Sequence, residues 1–163
     1  MSYSFVFKKI DQIREFPAAE NALWIFNADK IPPHIGLKVG KEYFSLKWNG
    51  KDVSEDPGKI WRMVQQKKIP FLSVSLEGMD LNLKEVIDVF DRLISAKFHQ
   101  FSCLVPINKL LFPGQEGGIL KDLLLTLETI HGALKVEGIY LPADYKGIRE
   151  YDAEQILAHI NQY

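Results

Sequence analysis

Cys103 is the only thiol in the 163-residue chain. The surrounding FSCLVPINKLL reads as a helix start, with Cys103 in its first turn. Free backbone N–H groups and the positive dipole end would there stabilise a thiolate and lower its pKa. Such a thiolate could attack an amide, ester or thioester carbonyl. The competing reading is structural: a small buried cysteine packed between Phe101 and Val105. A nucleophile of this kind needs a base, and there are four histidines. His99 sits four residues before the thiol, His131 precedes Gly132 at a helix end, and His159 falls in a surface helix. His34 differs. It opens a strand directly after Pro32 and Pro33, and Gly36 on the same face leaves space beside the imidazole. Its structural alternative is a strand-end histidine satisfied by a backbone carbonyl.

Positioning these groups requires the elements around them. ALWIF (22–26) suits a buried strand, and SYSFVF a short one. KKIDQIREF is read as a short helix. HIGLKVG (34–40) and EYFSLKW (42–48) read as two strands joined by a tight hairpin. Ile35, Leu37 and Val39 share one face of the first; His34, Gly36 and Lys38 share the other. NGK at 49–51 is a further turn. Asp56 caps a helix that Pro57 opens and Pro70 ends, with Ile60, Trp61 and Val64 as its buried stripe. FLSVSL (71–76) alternates, giving a strand with one polar face. Asn82 and Glu85 form a capping box for a helix running to about Ala96, with Leu83, Val86, Ile87, Phe90 and Ile94 at helical spacing. Pro106 is tolerated only in a first turn, so the next helix starts near Ser102 and stops near Phe112. ILKDLLLTLETIH is an apolar helix closed by Gly132. VEGIYL is a candidate strand, and Asp152 with Gln155 caps a final helix. Strands and helices do not alternate strictly, which predicts an α+β fold: a small antiparallel sheet packed with four to five helices, in one domain over 1–163.

PHIGLKVGKEYFSL resembles the histidine strand and following strand of the NlpC-related papain-like cysteine hydrolases. The likeness is to their circularly permuted branch, which includes relatives of lecithin:retinol acyltransferase, where the histidine precedes the cysteine in the chain. This sequence has that order, with Ser102 just before Cys103. The resemblance implies a papain-like fold with Cys103 as nucleophile and His34 as base. It assigns Ser45, on the second strand, to the residue that orients the imidazole. The implied reaction is hydrolysis or acyl transfer on a small acyl or peptide-like substrate. The competing function is a non-enzymatic binding or interaction module, including an inactive relative of that fold.

Composition bounds the rest. The chain is 47% hydrophobic and 25% charged, the balance of an ordinary globular protein, and its net charge of −1 argues against a nucleic-acid partner. The charge is uneven. Residues 1–70 carry 12 basic and 8 acidic side chains, and residues 71–163 carry 8 and 13, so the first part is positive and the second negative. Lys38, Lys41, Lys47 and Lys51 read as a solvated strand edge, or as a site for an anionic ligand. No segment reaches the ~18 uninterrupted apolar residues of a membrane span, and MSYSFVFKKIDQIREF lacks the features of a secretory signal. A cytoplasmic protein is expected, with one free thiol in a reducing compartment. No HExxH, paired Cys/His spacing, GxxxxGK[ST] or GxGxxG occurs, so no metal, nucleotide or other cofactor is expected. Trp24, Trp48 and Trp61 are expected in the core.

Overall fold

The alternating apolar runs become the middle of a large sheet. A computed structural model describes residues 2–99, 102–115, 118–152 and 154–155. Its elements in chain order begin with β1 (Tyr3–Val6), β2 (Asp11–Gln12), β3 (Asn21–Phe26), β4 (His34–Val39), β5 (Glu42–Lys47) and β6 (Gly50–Glu55). There follow α1 (Pro57–Lys67), β7 (Phe71–Ser75), α2 (Leu83–Asp91), the one-turn α3 (Ala96–His99) and α4 (Val105–Leu111). α5 (Leu120–His131), β8 (Val136–Ile139) and β9 (Gly147–Arg149) complete the set.

Seven strands form one sheet in the order β2-β8-β7-β3-β4-β5-β6, and β1 pairs with β9 in a separate two-stranded sheet. The mixed α and β content agrees with the sequence. The small sheet does not: the sheet is large, and its β2–β8 pair is parallel. β2 was hidden because Ile10 and Ile13 have helical spacing. Instead Ile13 N–H donates to the Gly138 carbonyl at 3.0 Å, so residues 8–16 form no helix. β6 was hidden because KDVSE carries one apolar residue.

Both faces of the sheet are covered. On one, Leu23, Ile25, Ile35, Leu37, Phe44 and Leu72 pack with residues of α2, α4 and α5. On the other, Trp24, Phe26, Tyr43 and Phe71 pack with Trp61 and Val64 of α1. This corrects the polar face expected for β7, since Ser73 is buried in the centre of the sheet. α1 forms as its caps dictate. The Asp56 carboxylate accepts from Gly58 N–H at 2.9 Å, Pro57 opens the helix, and Lys68 closes it in the left-handed region at φ 50°. α2 starts at its predicted Asn82 cap, whose side chain accepts from Glu85 N–H at 3.1 Å. It ends at Asp91, so Ile94 is exposed rather than on the buried stripe. Asp152 and Gln155 make the two reciprocal bonds of a capping box, at 2.9 and 2.8 Å. The rest of the helix expected there, with His159, lies outside the described residues.

Candidate functional site

His34 opens β4 opposite Phe26 of β3, and their rings lie 5.7 Å apart. Strand alternation aims His34 at the α1 side. There it lines a cleft of about 510 Å³ between α1 and the ends of β4, β5 and β6. Phe26, Tyr43, Trp48, Ile60 and Met63 supply the apolar lining. Lys47, Asp52, Glu55, Lys59 and Lys67 supply charge. Burial lowers the His34 pKa to about 4, with Asp52 opposing the shift and Lys47 adding to it. The imidazole is therefore neutral near pH 7. It has no hydrogen-bond partner among the described residues.

Gly36 is predicted to leave room beside the imidazole, but the space over it is taken. A Cβ there would collide with the Tyr43 ring and hydroxyl. Tyr43 is fully buried, and its phenol pKa is raised first by that burial. The neighbouring Ser45 side chain opposes that shift. Ser45, also fully buried, donates from Oγ to Asp52 Oδ2 at 2.9 Å. The other Asp52 oxygen pairs with Lys47 Nζ at 3.3 Å. Ser45 thus directs its hydroxyl to a carboxylate, and Asp52 is the acidic group of the site that sequence reasoning missed. A signal was available. The Asn49–Gly50 turn obliges KDVSE to return along β5, which sets Asp52 opposite Ser45.

Cys103 lies two residues before α4, outside the helix proper. The helix begins later than expected, with Pro106 as its second residue, and spans only seven residues. Ser102 Oγ accepts from Leu104 N–H at 3.3 Å and Ser102 O from Val105 N–H at 3.3 Å, which leaves the thiol in the turn. Cys103 packs against the cluster that holds Ile35 and Phe44, on the sheet face opposite α1. It is not among the residues lining the His34 cleft. Burial pushes its thiol up to about 11, against the opposing backbone N–H groups of Ile35 and of Cys103 itself. The predicted depression by a helix end is absent because the helix starts later and desolvation dominates. The fold therefore brings the sulfur to the backbone of the residue after His34, while the imidazole occupies the other face. His131 ends α5 as expected, and His99 falls in α3.

The four lysines do not share one solvated edge: Lys41 and Lys47 are exposed and Lys51 lies on the edge strand β6, but Lys38 is inside the sheet. β4 and β5 are interior strands. Lys38 is buried and donates to the carbonyls of Ala19 at 3.1 Å and Glu20 at 2.7 Å. Lys51 donates to the carbonyls of Phe90 and Asp91, both at 3.0 Å, at the end of α2. Of the tryptophans, Trp24 and Trp61 are buried as expected, whereas Trp48 is half-buried and borders the cleft. Among the described residues no group of three or more His, Cys, Asp or Glu side chains is arranged to hold a metal ion. No described helix is long and apolar enough to cross a membrane. No protein-family model matches the chain, and neither a curated protein nor a solved structure is significantly similar to it.

Proposed function

We propose that this chain is a non-enzymatic binding module whose cleft between α1 and the sheet takes a small, largely apolar ligand. The observation that carries this reading is the cleft itself. Its volume of about 510 Å³ falls within the ~300–1,000 Å³ typical of small-molecule sites. Aromatic and aliphatic walls would supply most of the binding free energy. A neutral imidazole and the Ser45–Asp52 pair lie beside them as fixed polar groups. The Trp48 indole N–H is buried and has no hydrogen-bond partner among the described residues.

The test uses N-phenyl-1-naphthylamine, an uncharged aromatic probe that brightens on leaving water. The native protein should bind it saturably. Met63→Glu should weaken binding by about tenfold or more, since it sets a carboxylate in the apolar wall. The new Glu can pair with Lys67 one turn on, so α1 should persist. Leu125→Glu, on the exposed side of α5, should leave binding unchanged. Absence of saturable binding, or equal loss in both variants, would refute the reading.

A second reading is favoured by one contact. The Cys103 sulfur meets the Ile35 backbone N–H, one residue from His34. In that reading Cys103 is the nucleophile of a papain-like hydrolase or acyltransferase, His34 its base and Ser45 the orienting residue. The substrate is a small acyl or peptide-like amide, ester or thioester. The binding reading is preferred because a thiol at about 11 keeps its proton near neutral pH.

A further inference from the structure

The two ends of the cleft differ in charge. At one end Lys47 pairs with Asp52 at 3.3 Å, and Lys59 with Glu55 at 3.3 Å. Both lysines there are matched by carboxylates. Lys67 lies two turns further along α1, about 12 Å from Lys59 at the helical rise. It has no carboxylate partner among the described residues. The side chains lining this end, Phe26, Asn27 and Ile69, carry no charge. Three lysines therefore face two carboxylates around the cleft, and the unmatched cation is at a defined end. His34 adds no charge near pH 7, because burial holds it neutral.

Resting on the binding reading above, we propose that the ligand is an amphipathic monoanion, with its acidic group beside Lys67 and its apolar body along Phe26, Ile60 and Met63. Charge complementarity sets the orientation. An anion at the other end would meet the carboxylates of Asp52 and Glu55. The reverse orientation would also leave Lys67 unmatched. A second acidic group would have no unmatched cation among the lining residues.

Two probes with one aromatic skeleton test this. 8-Anilinonaphthalene-1-sulfonate carries an anionic group that N-phenyl-1-naphthylamine lacks. Lys67 is exposed on α1, so Lys67→Glu and Lys67→Met should both fold. Lys67→Glu should weaken sulfonate binding by about fivefold or more and Lys67→Met by less, while the uncharged probe changes by less than about twofold. Raising the salt concentration should weaken only the sulfonate. Equal effects of Lys67→Glu on the two probes, or none on the sulfonate, would overturn the proposal while leaving the cleft reading intact. Failure of the uncharged probe to bind the native protein would remove the cleft reading, and this proposal with it.

Discussion

Burial decides the charge of His34, and that has a cost in acid. The folded pKa is depressed to about 4, whereas an unfolded histidine titrates near 6.5. Between those values the unfolded chain binds a proton that the folded chain refuses. The contribution of His34 is therefore fully present above about pH 6.5 and is lost progressively as the pH falls toward 4. At pH 4.5 the loss is on the order of 2–3 kcal/mol. His34→Asn should remove it. In urea unfolding, the stability difference between pH 7 and pH 4.5 should shrink by that amount relative to the native chain. An unchanged difference would mean that His34 is solvated. At this scale much was legible. Strand alternation put His34, Gly36 and Lys38 on one face, as found. The filling of the space over Gly36 was not legible, because it depends on where the Tyr43 ring leans from the neighbouring strand. Nor was the fate of the Ser45 hydroxyl, because its partner sits on a strand with almost no apolar signature.

Elements were legible where local chemistry and tertiary context agree. α1 has a cap, a proline start and a left-handed end, and it forms over the predicted residues. β3, β4, β5 and β7 announce themselves by apolar runs or alternation. Agreement fails where an element depends on its neighbour. β2 exists because β8 pairs with it, and β6 because the hairpin forces the return. The end of α2 is another such case. Lys51, read as part of a solvated edge, reaches across from β6 and donates to the last carbonyls of the helix. An ammonium there satisfies orphan acceptors and offsets the negative end of the dipole. Lys51→Met keeps the aliphatic stem and removes both bonds. It should lower stability by about 1 kcal/mol in urea unfolding, with an unchanged denaturant slope. Unaltered stability would show that water serves these carbonyls equally well.

Across the whole molecule the sheet separates two kinds of environment. The α2–α4–α5 side is a hydrocarbon core, and Cys103 packs against it. The α1 side carries an aromatic cluster that opens into the His34 cleft. His34 and Ser45 lie on the α1 side, whereas Cys103 packs with the opposite cluster and its sulfur reaches the Ile35 backbone, and periodicity alone could not reveal this. Alternation gives the faces of a strand, but it does not say against which face a distant turn will pack. The excess of basic residues in the first 70 positions has a local counterpart at the cleft, where Lys67 lacks a partner. Cys103 is half-buried against this core, and the cleft is the proposed binding surface. The rate of Cys103 alkylation by iodoacetamide in the native protein near pH 7.5 tests that division most directly. With its pKa near 11, the thiolate fraction is on the order of 100-fold below that of an ordinary cysteine. Modification should be correspondingly slow, and His34→Ala should leave its rate unchanged. Rapid modification that His34→Ala slows would contradict this division and establish a thiol–imidazole pair in its place.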